Sequence, residues 1–256
     1  MDNQLVSIIT PMYKSAAFVG ETIESVLAQT YRDWEMIIVD DCSPDGGAGI
    51  SVVRKYAERD PRIILIESKE NKGSSGARNI ALRAARGRYV AFLDSDDLWH
   101  PDFIEKQLKF MQEKNAGMVF SSHRRIDENT REEILRPFIV PERVNYKMLL
   151  RANPMAPSTV MYDGKKCRKL FFNEDWKSMR DDYIYLLAML KEIDWAYGTK
   201  ELLVDCRLRK SSVTRNKRTV IYPQWRVLRE VEKVPFFKSI YCMCCWAVIS
   251  YFKFRK

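Results

Sequence analysis

The first 120 residues alternate short apolar runs with stretches of helical periodicity, which restricts the chain to an α/β architecture on a largely parallel sheet. Residues 5–10 read as a buried strand stopped by Pro11. Phe18, Thr22, Ile23, Val26, Leu27 and Tyr31 then recur at helical spacing. Residues 34–39 form the next predicted strand, and a helix over 50–59 leads to a strand at 63–66. A polar loop, 71–76, precedes a helix through Arg86, the strand 89–93, the helix 103–113 and the strand 118–120. From about residue 125, Pro137, Pro141, Pro154 and Pro157 break the pattern until a helix over 181–191.

Two of these strands end in acids. Asp40-Asp41 follow Met36-Ile37-Ile38-Val39, and Asp94-Ser95-Asp96-Asp97 follow Tyr89-Val90-Ala91-Phe92-Leu93. Clustered carboxylates shift their pKa values, pair with Arg or Lys, or hold a hard divalent cation through oxygen ligands. The crevice beyond the carboxyl ends of parallel strands is where open α/β sheets bind ligands. Asp97 has a second reading as the N-cap of whatever follows.

The net charge of +9 is unevenly spread: residues 207–256 hold thirteen Lys or Arg against two Glu, leaving residues 1–206 at −2. The basic segment interleaves aromatics such as Trp225, Phe236, Phe237 and Trp246, and residues 239–252 form an uncharged, largely apolar run of fourteen. Spanning a bilayer takes about 20 apolar residues. The run therefore reads as an in-plane amphipathic helix on an anionic membrane surface, with a helix packed on the domain as the alternative. A nucleic-acid arm fits poorly, because such arms do not carry a long apolar stretch. The start Met1-Asp2-Asn3-Gln4 has no basic n-region, so the protein is expected in the cytoplasm, peripheral at the inner face of the cell membrane. Six cysteines without framework spacing, and only two histidines, predict reduced packing residues and no zinc set. His100 and His123 match no motif.

Five segments in register carry a resemblance: Val6-Ser7-Ile8-Ile9-Thr10-Pro11-Met12-Tyr13, residues 22–31, Ile37-Ile38-Val39-Asp40-Asp41-Cys42-Ser43, Gly76-Ala77-Arg78-Asn79, and residues 87–97. Together they resemble a family 2 glycosyltransferase of bacterial surface-glycan type. The likeness extends faintly through Asp181-Asp182-Tyr183 to Cys206-Arg207-Leu208-Arg209. It implies a GT-A fold (nucleotide-diphospho-sugar transferase, Rossmann-like): a mixed, mostly parallel sheet with helices on both faces, plus the C-terminal amphipathic helical tail. The implied division is a transferase domain over 1–215, with a nucleotide-sugar half (1–122) and an acceptor half (123–215), followed by a tail at 216–256.

The resemblance also assigns roles. Asp96 would ligate Mg²⁺ or Mn²⁺, and Asp94, with Ser95, would lie against the ribose or donor sugar. Asp41 would bind the nucleotide base, walled by Pro11 and Tyr13, although Lys14 stands where the family usually has Asn or Asp. Arg78, Arg207, Arg209 and Lys210 would meet the diphosphate. Asp182 would be the general base of an inverting transfer, with Asp181 where Glu is usual. The partners implied are a nucleotide-diphosphate sugar, a glycan or polyprenyl-linked acceptor and the membrane surface, with no nucleic acid.

A processive synthase is disfavoured, because Gln224-Trp225-Arg226 lacks the Gln-x-x-Arg-Trp spacing. Two alternatives remain, a silent membrane-bound binding module and a sugar-phosphate nucleotidyltransferase. The second expects a glycine-rich turn after the first strand, where this chain has Pro11-Met12-Tyr13-Lys14.

Overall fold

The structure, a computed structural model, describes residues 4–177, 179–209 and 217–253, without the side chains of 217–219 and 251–253. The predicted alternation is present as β1 (Val6–Met12), α1 (Val19–Leu27), β2 (Trp34–Asp40), α2 (Ala48–Ala57), β3 (Ile63–Glu67), α3 (Gly73–Ala84), β4 (Tyr89–Phe92), β5 (Leu98–Trp99) and α4 (Phe103–Glu113). The second half adds β6 (Met118–Asp127), β7 (Glu133–Phe138), β8 (Arg143–Val144), α5 (Tyr146–Leu149), β9 (Val160–Asp163), α6 (Asp181–Glu192), β10 (Ala196–Leu208), α7 (Lys217–Arg226) and α8 (Phe236–Lys253).

Side chains alternate across a strand, and here the alternation sorts them into two cores. Ile8, Met36 and Ile38 pack with Val19, Ile23 and Phe103 of α1 and α4 on one face. Ile9, Ile37 and Val39 pack with Ala77, Ala81 and Tyr183 of α3 and α6 on the other. Strands buried on both faces read as continuous apolar runs, which is why β1 and β2 were legible.

The sheet order is β3-β2-β1-β4-β9-β6-β10-β5, with β7 added on β6 and β8 on β10. β1 to β4 are mutually parallel. β9 runs antiparallel to both β4 and β6, and β10 runs parallel to β6. The chain winds outward from β1 to β3 and returns on the far side of β1 as β4, so the strand order reverses between β1 and β4.

Several sequence expectations shift. Pro11 does not stop β1 but sits inside it, opposite Val39. Ile9 turns its carbonyl to Leu93 on the β4 side, while the Met12 carbonyl accepts from Asp41 on the β2 side. Pro11 therefore faces the β4 side, where pairing has already ended at Ile9, and its missing N–H removes no ladder bond. The expected loop 71–76 is mostly helix: α3 starts at Gly73, which takes φ +72°, and a Cβ on Gly76 would lie 2.2 Å from Lys72 Cβ. β6 outruns its predicted three residues because Ser121, Ser122, His123 and Arg125 are buried in it despite their polarity.

The tail is packed on one side and open on the other. Val227, Leu228, Val234 and Cys242 join the core cluster that contains α6. Phe237 (84% exposed), Tyr241, Val248 and Ile249 face outward. No described helix is long and apolar enough to cross a membrane. Of the cysteines, Cys167 and Cys242 are buried as expected, but Cys42 and Cys244 are exposed.

Candidate active site

β1, β2 and β4 run parallel, so Tyr13-Lys14-Ser15, Asp40-Asp41 and Asp94 to Asp97 emerge at one edge, across the point where strand order reverses. That is the binding crevice of an open α/β sheet. Tyr13 is 42% exposed there with Lys14 Nζ 5.3 Å from its ring centroid, and Pro11 is half-buried.

The acidic loop divides by side-chain direction. Asp94 and Asp96 remain partly open, whereas Ser95 and Asp97 are buried. The Ser95 hydroxyl donates to Ser15 Oγ at 2.9 Å, which ties the end of β4 to the turn after β1 and removes Ser95 from the open edge. Asp97 is no N-cap: α4 begins at Phe103 behind Asp102. Its carboxylate accepts the Ser158 hydroxyl at 2.5 Å and the Arg207 backbone N–H at 2.9 Å. Burial, then the charges of Asp96 and Asp94, push the Asp97 carboxyl well above its ordinary range.

Arg207 also differs from its expected role. Its Nε donates to the Asp96 carbonyl at 2.7 Å, its Nη1 to the Glu128 carbonyl, and its Nη2 pairs with Glu21. A buried guanidinium needs partners, and each of the three nitrogens of this one has one, so that it braces the acidic loop from below. Arg209 is the more open cation. It reaches Asp96 Oδ2 at 3.3 Å and the Lys14 carbonyl at 3.2 Å, lying across the mouth between β1 and β4. Lys210 lies outside the described residues.

Arg78 is likewise not a loop cation waiting for phosphate. It lies on α3 with its side chain 5% exposed, donating to Asp94 Oδ1 at 2.7 Å and to Asp181 Oδ2 at 2.9 Å. The Ser74 hydroxyl adds a 2.8 Å bond to the same Asp181 oxygen. The two carboxylates hold the guanidinium charged despite its burial. Arg78→Met should therefore lower unfolding stability by about 3 kcal/mol in urea titrations, the lower end for a broken buried pair because Asp94 is partly solvated. A loss under about 1 kcal/mol would show the bridge to be incidental.

Successive helical residues point about 100° apart. On α6 this turns Asp181 inward to Arg78 and Asp182 toward a small cavity lined by Phe92, Pro157, Val160, Phe172 and Tyr185. Among the described residues no donor reaches the Asp182 carboxylate, while Arg180 just before it holds an αL conformation with its guanidinium near the rings of Tyr183 and Trp246. Asp41 is turned inward too: it is buried, and its carboxylate accepts Lys72 N–H at 2.7 Å and Gly73 N–H, so it caps the start of α3. Asp40 accepts Ser43 N–H and shapes the turn.

Sequence reasoning missed Ser158, which donates to Asp97 and accepts Asp94 N–H at 3.1 Å. It lies in the proline-interrupted region, where the only local signal is Pro157 opening a single 3₁₀ turn. His100 pairs with Asp205, itself bound by Arg124.

The open acids suit a hard cation shared with a phosphate ligand. Among the described residues no group of three His, Cys, Asp or Glu is arranged to hold a metal alone. Mg²⁺, however, is typically held by one or two carboxylates and completed by substrate phosphates, and Asp94 with Asp96 is such a pair. Burial and the Asp94 charge raise the Asp96 pKa, with Arg209 opposing, so added positive charge is favoured there.

The sheet, its reversal point and its acidic edge define a GT-A glycosyltransferase. The family model for glycosyl transferase family 2 matches residues 7–176, and the chain belongs to that family. It is 38% identical over 244 residues to TuaG of Bacillus subtilis, provisionally named a teichuronic acid biosynthesis glycosyltransferase, covering 95% of this chain and 94% of that one. It is 33% identical over 244 residues to WfgD of Escherichia coli, a UDP-Glc:α-D-GlcNAc-diphosphoundecaprenol β-1,3-glucosyltransferase (95% and 92%). Among solved structures, S. aureus TarS 1–349 with UDP-GlcNAc superposes at TM-score 0.67 and 20% identity, over 87% of this chain and 65% of that one. The mannosyltransferase PcManGT of Pyrobaculum calidifontis, with GDP-Man and Mn²⁺, follows at 0.58 and 22%, over 89% and 62%. The chain thus spans somewhat under two thirds of either solved chain.

Proposed function

We propose that the protein is an inverting, metal-dependent transferase that moves a sugar from a UDP-sugar to a hydroxyl of a lipid-linked glycan, at the inner face of the cell membrane. The observation that carries this reading is the pairing of two half-open carboxylates, Asp94 and Asp96, with a third, Asp182, on the helix that Arg78 fastens to Asp94. The UDP and lipid parts draw support from the substrate named for WfgD. The membrane part draws on the open apolar side of α8 and the basic C-terminal segment.

The base lies against Tyr13 and Pro11, with Asp41 holding the neighbouring start of α3. Asp94 and Asp96 would hold Mg²⁺ or Mn²⁺, whose positive charge would offset the negative charge developing on the departing diphosphate. Arg209 turns from Asp96 to the phosphates, and Arg207 keeps the loop beneath them rigid. Asp182 accepts the proton of the acceptor hydroxyl as its oxygen bonds the anomeric carbon. The sugar's bond to the diphosphate breaks on the opposite side, and UDP leaves with the electron pair, inverting the configuration.

The test is thermal melting against UDP, GDP, CDP and dTDP with and without Mn²⁺. UDP at about 100 times its Kd adds about 2.7 kcal/mol, a rise of about 5–10 °C for a chain of this size, and only with metal. Because the Asp96 pKa is raised in the folded protein and metal needs the carboxylate, the metal-dependent part should shrink as pH falls through the acid range. A shift equal with and without metal, or for no nucleotide, would sink the reading.

A further inference from the structure

Between α5 and α8 lies a cleft of about 210 Å³ lined by Lys147, Leu150, Arg151, Lys238, Tyr241 and Cys242. Three of these six are cations, and among the described residues no carboxylate pairs with any of them. Elsewhere in the tail, Arg226 pairs with Glu230, and Glu232 pairs with Lys191 of α6. The Arg151 Nε donates to the Lys147 carbonyl at 3.3 Å, which holds the guanidinium along α5. Lys147 and Arg151 from α5 and Lys238 from α8 converge on this one cleft, around the buried Cys242 thiol.

The rim of the cleft is apolar. Phe237, Ile240, Tyr241, Cys244 and Val248 are exposed at i, i+3, i+4, i+7 and i+11 spacing, one stripe along α8. Cations seated beside such a stripe match a lipid, whose phosphate lies at the depth of the head groups and whose chains lie below.

We infer that the α5–α8 cleft is a binding site for the phosphate of an anionic membrane phospholipid, with the α8 stripe lying among the acyl chains. This rests on the membrane reading above and specifies it: one seated head group, not a diffuse basic surface. The site is mechanically close to the chemistry. Tyr183, next to Asp182, donates its hydroxyl to the Leu149 carbonyl of α5, and Trp246 of α8 lies 5.6 Å from Arg180. A bound lipid would therefore set the orientation of the catalytic edge relative to the bilayer.

The test uses the full chain and two lipid formats. Partitioning is measured on phosphatidylcholine vesicles with and without phosphatidylglycerol, and native mass spectrometry reads adducts with dihexanoyl phosphatidylglycerol below its micelle concentration. At about 1 kcal/mol per cation, K147Q/R151Q/K238Q should partition about 100-fold less onto phosphatidylglycerol vesicles. A charge-matched control on exposed lysines away from the tail, K55Q/K109Q/K114Q, should stay within about threefold. The 1:1 adduct should form in wild type and in Phe237→Ser, and be absent in the cleft variant.

Equal loss in both triple variants means diffuse charge and overturns the site. Undiminished vesicle binding by the cleft variant overturns it too, while leaving attachment through α8 intact. Displacement of the lipid by equimolar inorganic phosphate overturns the assignment to a lipid. Wild type that ignores both vesicle types brings down the membrane reading itself. Near-unchanged melting of the cleft variant, expected for three solvent-facing side chains, shows that any loss is not unfolding.

Discussion

Asp182→Asn should lower kcat by about two to four orders of magnitude, the usual contribution of a positioned general base, while leaving the KM for the donor within a few-fold. The amide keeps the shape of the side chain, and Asp182 has no hydrogen-bond donor among the described residues to lose, so the melting temperature should stay close to wild type. Its neighbour makes the contrast. Asp181 is buried against Arg78 and Ser74, so Asp181→Asn should cost stability as well as activity. Single-turnover kinetics with an excess of enzyme over donor separate the two. If Asp182→Asn retains more than about a tenth of wild-type kcat, the base lies elsewhere and the inverting assignment to Asp182 falls.

Asp96→Ala should abolish the metal-dependent nucleotide shift and reduce kcat/KM by at least about 100-fold, since a metal at a leaving group supplies several kcal/mol of charge stabilisation. The protein without ligand should not suffer: the raised Asp96 pKa means that burial and Asp94 already oppose its charge, and its carboxylate meets Arg209 only at 3.3 Å. Equal or slightly higher melting of the unliganded variant, with no response to UDP and Mn²⁺, is the expected result. A variant that still responds to Mn²⁺ as wild type does would move the cation to other ligands.

The strands that end in acids were legible because β1, β2 and β4 are buried on both faces and so carry near-continuous apolar runs, such as Met36-Ile37-Ile38-Val39 and Val90-Ala91-Phe92-Leu93. Family membership followed from the order of those segments. What escaped was direction and partnership. Arg78, Ser95, Asp41 and Arg207 were located at the right edge, but each side chain turns inward to a partner distant in the chain, up to 186 residues away for Arg207 and Glu21. No local pattern encodes such pairs. β9 and the long β10 were hidden for a related reason: β10 runs through Lys200, Glu201, Asp205 and Arg207, whose charges find partners across the fold instead of following a polar-apolar alternation. The Ser158 turn was hidden by the prolines around it.

Arg207 also dictates when the site can exist. It joins the Asp97 carboxylate 110 residues upstream, the Asp96 carbonyl and Glu21 of α1, and it resides near the end of β10, itself inserted between β6 and β5. A chain emerging from the ribosome can pair β1, β2, β3 and β4 early, yet its acidic loop has no floor until residue 207 has cleared the exit tunnel. Such high contact order makes completion of the catalytic edge a late folding event. The acidic loop therefore gains its support only after residue 207 has been synthesised, late in translation.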